Sequence, residues 1–142
     1  MRRSLFVASV LAAGLLAFSA RAEMIQFHAT MKGASEVPPT NSKGSGEVTA
    51  SLDSSTKMLT WTMTYSGLTG PAVAAHFHGP AAPGANAGIA VPIPDTASGS
   101  KGSAKLTEAQ IADLEAGKWY VNVHTKAHPG GEIRGQVLRQ GM

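Results

Sequence analysis

The sequence predicts an all-β protein: an Ig-like antiparallel β-sandwich of Greek-key type carrying one short crossover helix. Three observations predict it. Apolar and polar side chains alternate with a period of two, turn-forming residues recur at short intervals, and a single stretch carries helix-capping chemistry. Successive strand residues face opposite sides of a sheet, so strict alternation marks strands with one buried face and one solvated face.

Met24 to Lys32 sets Ile25, Phe27, Ala29 and Met31 against Gln26, His28, Thr30 and Lys32, and reads as the first strand. Gly33-Ala34-Ser35-Glu36-Val37-Pro38-Pro39 ends it, because a Pro-Pro step cannot donate to a central ladder. After a Gly/Ser-rich loop over 41–46, Glu47 to Asp53 and Met58 to Tyr65 read as a hairpin. In its second strand Leu59, Trp61, Met63 and Tyr65 face inward, and Thr60, Thr62 and Thr64 outward. Trp61 is expected to be the largest core side chain. Pro71 to His78 is the next strand. The run from Gly79 to Gly88 is too rich in Gly, Pro and Ala to be an element. Ile89 to Ile93 is a short strand closed by Pro94, and Asp95 to Gly102 reads as loop.

Thr107 can cap a helix and Gln110 completes a capping box three residues on, while Leu106 can staple to Ile111. The predicted helix is Glu108 to Ala116, stopped by Gly117 and too short to stand alone. It must dock on the sheet. Trp119 to His124 is a strand with Val121 and Val123 inward and Asn122 and His124 outward. Gly130-Gly131 then turns the chain into a last strand, Glu132 to Arg139, with Ile133 and Val137 inward. About seven strands with closely spaced turns are the pattern of an antiparallel sandwich or barrel. Trp61, Leu59, Val121, Val123, Ile133 and Val137 are expected in its core.

Residues 1–22 stand apart from this fold. Arg2 and Arg3 precede a short apolar run from Leu5 to Phe18, and Ala20-Arg21-Ala22 is a small-x-small cleavage site. The run is shorter than the roughly 20 residues that span a bilayer. A signal peptide over residues 1–22 and one domain over residues 23–142 are therefore expected, with a periplasmic or secreted destination and no membrane span after cleavage. The net charge of +3 comes from 12 Lys+Arg against 9 Asp+Glu. Arg2, Arg3 and Arg21 would leave with the signal, so nine bases face nine acids in the remainder. Those bases are scattered singly, which argues against a nucleic-acid partner. There is no cysteine, so no disulfide can hold the domain together.

The chemistry-bearing pattern is Ala75-His76-Phe77-His78-Gly79, answered by Tyr120-Val121-Asn122-Val123-His124. His76 and His78 share one strand face with Cα atoms roughly 7 Å apart. His124 ends a second strand on its outward face, and His128 follows in the next loop. Imidazoles without thiolates suit Cu(II) or Zn(II), so His76, His78, His124 and His128 are the candidate ligands for copper or zinc. Asn122, Glu132 and Arg134 are candidate groups for orienting those imidazoles. Glu132 and Arg134 also read as a cross-strand ion pair, and Glu36 as a cap or a partner of Arg134. His28, on the polar face of the first strand, reads as a surface histidine.

Gly33-Ala34-Ser35-Glu36-Val37-Pro38-Pro39, the two histidine motifs and Pro129-Gly130-Gly131-Glu132-Ile133-Arg134-Gly135-Gln136 together resemble the CHRD domain. The resemblance runs from about Met24 to Leu138. It implies an extracellular fold and interaction module with no single biochemical role, and with it a protein partner outside the cytoplasm. The His-x-His strand before a Gly-rich loop is also similar to the copper strand of copper–zinc superoxide dismutase. That similarity is local: the chain has no cysteine pair, and Gly79 to Gly88 offers no His or Asp for a zinc subsite.

Catalytic motifs are absent from the sequence. No Gly-x-Ser-x-Gly elbow, phosphate-binding loop or calcium loop occurs, and acids are spread singly. The expected function is non-catalytic metal binding in an exported protein. The alternatives are an extracellular interaction or surface module without a metal, and a superoxide-dismutase-like redox activity.

Overall fold

The alternating segments do form strands, and each finds an antiparallel neighbour. The structure, a computed structural model, describes Gly14, Leu16 and residues 21–141. The expected signal peptide thus lies almost wholly outside the described residues. The strands are β1 (Met24–Lys32), β2 (Ser45–Asp53), β3 (Met58–Ser66), β4 (Ala72–His78), β5 (Ile89–Pro92), β6 (Ser100–Lys105), β7 (Trp119–Thr125) and β8 (Ile133–Arg139). One helix, α1 (Glu108–Glu115), lies between β6 and β7, and Gly33–Ser35 makes a single 3-10 turn. No described helix is long and apolar enough to cross a membrane.

The expected two-sheet, Ig-like Greek-key sandwich is not what these strands build. They join one eight-stranded antiparallel sheet in the order β5-β4-β7-β8-β1-β2-β3-β6. The sheet curls nearly into a barrel. Trp61 on β3 packs edge-on against Phe77 on β4 with ring centroids 5.2 Å apart, although four strands separate them in the sheet. Alternation specifies which side chains turn inward. It is silent on whether the inward face closes by stacking two sheets or by curling one, because both bury the same residues. Leu59, Trp61, Val121, Val123, Ile133 and Val137 are all buried in one cluster, as the alternation requires.

Two further differences have physical causes. The segment 100–102, read as loop, starts the edge strand β6, which pairs with β3 from Met58↔Lys105 to Met63↔Ser100. Its composition of Ser, Lys, Gly and Ala carries no strand signal, and backbone pairing with a strong neighbour imposes the conformation. Gly102 is required there, since any Cβ would collide with the Trp61 ring. The second difference concerns β7, whose seven residues are all buried, including the polar Asn122 and His124. The loops after β1 and β4 fold over the face that was expected to meet solvent. Helix α1 forms as read: Thr107 Oγ1 accepts from Gln110 N, Gln110 Oε1 accepts from Thr107 N, and Leu114 is buried.

Glu132 fastens the first of these loops. Its carboxylate, fully buried, accepts hydrogen bonds from Ser42 Oγ (2.7 Å), Thr69 N (2.9 Å), Thr125 Oγ1 (2.7 Å) and Thr69 Oγ1. It does not form the cross-strand ion pair with Arg134 that the sequence suggested. Burial alone would raise its pKa, but the donors from Thr69, Ser42 and Thr125 outweigh burial and hold it near 2. A carboxyl depressed in the folded state contributes stability in full above its ordinary value and loses it as pH falls through the depressed one. Acid titration should therefore show stability declining from about pH 4.5 towards 2, and Glu132→Gln should flatten that limb. The same variant should cost about 1–3 kcal/mol at neutral pH in urea unfolding.

Close packing of β8 on β1 gives a second test. A Cβ at Gly135 would collide with the backbone of Thr30 and Met31, whereas one at Gly130 meets nothing within 4 Å. Gly135→Ala should cost about 1–3 kcal/mol or more, and Gly130→Ala should stay within about 0.5 kcal/mol. Equal unfolding midpoints for the two variants would contradict the packing described.

Candidate metal centre

The register of β4 against β7 assembles the histidines. His76 lies opposite Asn122, His78 opposite Tyr120 and Ala74 opposite His124. One face of this strand pair therefore carries His76 and His78 beside Tyr120, Asn122 and His124. His76 Nδ1 lies 3.1 Å from His124 Nε2, and the ring of His78 is 5.4 Å from that of His76 and 6.3 Å from that of His124, centroid to centroid. One nitrogen from each of His76, His78 and His124 falls within 4.8 Å of the others. Nitrogens around a tetrahedral zinc sit roughly 3–4 Å apart given bonds of about 2.0–2.1 Å. The observed spread is wider than that, so binding an ion requires one of the rings to move inward.

Backbone carbonyls fix which nitrogens carry protons. His124 Nδ1 lies 2.9 Å from Pro129 O, and His78 Nδ1 lies 3.0 Å from Ala87 O. A carbonyl only accepts, so each Nδ1 is the donor, and in His124 Nε2 keeps its lone pair for a ligand. In His124 that lone pair accepts from His76 Nδ1. His78 Nε2 faces Asn122 Oδ1, a second acceptor, at 2.9 Å, while the Asn122 nitrogen lies on the Glu36 side, so an ion at His78 Nε2 has to displace that contact. Burial lowers the pKa of His76, with His124 and His78 adding to the effect. Burial likewise lowers that of His78, against opposing hydrogen bonds to Ala87 and Asn122. Both are held toward the neutral, ligating form.

The surroundings are polar and tightly packed. Tyr120 stacks on His78 with centroids 4.7 Å apart and planes 5° from parallel. The buried Arg134 guanidinium lies over the same phenol ring, 3.4 Å from its centroid. Arg134 also donates to Asn86 Oδ1 (2.9 Å) and Ala85 O (2.5 Å), and the Tyr120 hydroxyl bonds to Ala87. The Gly79–Gly88 loop is thereby clamped against the histidines. Glu36 is pushed up to about 7 by burial, against the opposing effects of Asn122, Arg134 and the Val37 backbone. Its Oε1 is buried without a partner. Gly131 adopts φ +124 with its α-carbon against Glu36 and Asn122, where a Cβ would collide with both.

Of the residues named from sequence, His76, His78 and His124 converge. His128 stays outside this cluster: its backbone closes the turn with Thr125 and Gly131. Asn122 and Arg134 adjoin the cluster, Asn122 directly and Arg134 through Tyr120. Glu132 binds Ser42, Thr69 and Thr125, none of them an imidazole. His28 sits on β1 near Glu47 at 3.6 Å. Tyr120, Ala87 and Pro129 were missed, since two of them act through backbone carbonyls that leave no trace in residue type.

Among curated proteins and solved structures, none matches this chain. A family model does. It describes the CHRD domain and matches residues 27–137, from β1 to β8 and across all three converging histidines, so the chain belongs to the CHRD domain family.

Proposed function

We propose that the protein is an exported, non-catalytic CHRD-domain protein that binds copper or zinc through His76, His78 and His124. The observation that carries this reading is the convergence of three imidazole nitrogens within 4.8 Å on one face of β4 and β7. Two of the three rings anchor Nδ1 on a backbone carbonyl, the arrangement that orients ligating histidines in metal sites. A set of nitrogen donors without thiolate or carboxylate suits copper and zinc over magnesium or calcium. The signal-like segment over residues 1–22 supports export to the periplasm or beyond.

A protein-interaction surface is the second reading, favoured by the exposure of Val73 at the start of β4 and of Ile89 opposite His78 on β5. A dismutase-like activity has less support, because the clamped Gly79–Gly88 loop presents Asn86 and backbone carbonyls where zinc ligands would be needed.

Titration of the purified apo-protein with Cu(II) and Zn(II) tests the metal reading. His78→Ala should weaken binding by about 100-fold or more, and His28→Ala by less than about twofold. Equal losses would reassign the site. Protons and metal compete for imidazole, so affinity must fall on acidification, with more than one proton displaced. Because His76 and His78 titrate below the ordinary imidazole value, the fall should begin on the acid side of about pH 6.5. A pH-independent affinity would reject the cluster as the site.

Export has its own test. Protein recovered from the periplasm or medium of its host should begin near Glu23 by mass spectrometry, and a full-length chain retained in membranes would reject the signal.

A further inference from the structure

We infer that Arg134 biases the three-histidine site towards a monovalent over a divalent ion, and so towards monovalent copper over zinc. This rests on the metal-binding reading above and adds the charge of the ion to it. The three converging side chains are imidazoles, which ligate as neutral groups, and no carboxylate belongs to the cluster among the described residues. The site therefore brings no negative charge of its own to a cation. It has instead a fixed positive charge behind it. Arg134 is 2% exposed, and its guanidinium lies against one face of Tyr120 while His78 stacks on the phenol 4.7 Å away. Two groups cannot occupy the same face of one ring at these distances, so Tyr120 is sandwiched between them. The strand order agrees, since β7 carries Tyr120 between β4 with His78 and β8 with Arg134.

No carboxylate lies within ion-pairing distance of Arg134 among the described residues. Its direct partners are the side-chain oxygen of Asn86 and the carbonyl of Ala85, which satisfy its donors without cancelling its charge. Glu36 is the acid whose field reaches it, and burial favours the neutral form of that group. A buried unit charge held two stacked rings from the ion repels a divalent ion more than a monovalent one, by a factor of about ten at an effective dielectric of about 20. Of the two metals these imidazole donors suit, copper has a monovalent state and zinc has none, so the charge favours copper.

The experiment compares Cu(I), held by a competing chelator under reductant, with Zn(II), and uses Ag(I) as a redox-inert monovalent control. Wild-type protein should bind all three ions, with the charge of Arg134 weighting the Ag(I)-to-Zn(II) affinity ratio about tenfold towards silver. Arg134→Gln removes the charge and should move the Zn(II)-to-Ag(I) affinity ratio about tenfold towards zinc. Arg134→Lys keeps the charge and should keep the wild-type ratio, even where loosening of the Gly79–Gly88 loop weakens both ions together. A structural role alone would lower both affinities and leave the ratio unchanged in either variant. The wild-type ratio in a folded Arg134→Gln, or an equal shift in Arg134→Lys, overturns the inference while leaving the metal site standing. Failure to bind any of the three ions overturns the proposed function and the inference with it.

Discussion

Everything distinctive about this molecule follows from the burial of β7 on both faces. Val121 and Val123 fill the curled core, an ordinary duty for a central strand. The opposite face carries Tyr120, Asn122 and His124, and it is roofed by the loops after β1 and β4. A roofed polar face cannot rely on water, so each donor and acceptor needs a protein partner or costs roughly 1–3 kcal/mol. That requirement accounts for the density of specific contacts here: carbonyls of Ala87 and Pro129 on two imidazoles, Asn86 and Ala85 on Arg134, and four donors on Glu132. Glycines stand where the roof comes closest. Gly131 meets Glu36 and Asn122, and Gly79 packs on Trp119, positions that no side chain could share.

The two buried acids show how local partners decide the sign of an electrostatic effect. Glu132 and Glu36 are both almost fully buried, and burial pushes both towards protonation. Four donors reverse that for Glu132, so ionised Glu132 ties the chain near Ser42 and Thr69 to β7. Glu36 has Asn122 and the Val37 amide but leaves Oε1 unsatisfied, and burial prevails. A carboxyl raised in the folded state contributes stability below its ordinary value and loses it as pH rises through the raised one, here about 7. The two acids therefore act in opposite directions in adjoining windows, Glu36 from about pH 4.5 to 7 and Glu132 from about 4.5 to 2. Both are closed to solvent, but Glu36 lies deeper among protein atoms and has fewer donors, and both differences push it up.

The legibility of this chain from sequence divides along the same line. Strand phase was readable wherever one face is apolar and the other polar, as in Met24–Lys32 and Met58–Tyr65. So was the helix, whose Thr107–Gln110 box is purely local chemistry. The convergence of His76 and His78 with His124 was readable because i, i+2 spacing on one strand and outward phase on another need only the two strands to pair. The closure of the sheet was not readable, because a sandwich and a curled sheet bury the same positions. Edge strand β6 was hidden by its composition. The roof over β7 was also unreadable: the alternation of Val121 and Val123 with Asn122 and His124 looks the same whether the polar side meets water or a loop. The motif residues Glu36, Gly131 and Arg134 marked the right neighbourhood, but not the carbonyls that set the tautomers.

Those tautomers are what turn a cluster of histidines into an organised site. Three imidazoles on a solvated face would rotate freely and share protons with water, and a metal would have to pay the ordering cost of all three. Here Pro129 O holds His124 with Nε2 forward, Ala87 O and Asn122 Oδ1 fix the plane of the His78 ring, and His76 already addresses His124. The loop that supplies Ala87 is itself held by Arg134 and the Tyr120 hydroxyl. Ligand geometry thus depends on a clamp whose own key member is a cation. The side chain that organises the site most effectively also raises the electrostatic cost of every positive charge placed in it. An uncharged hydrogen-bonding clamp would have spared that cost, but Arg134 alone can span two acceptors and cover an aromatic face at once. Organisation and charge discrimination are two consequences of the same guanidinium.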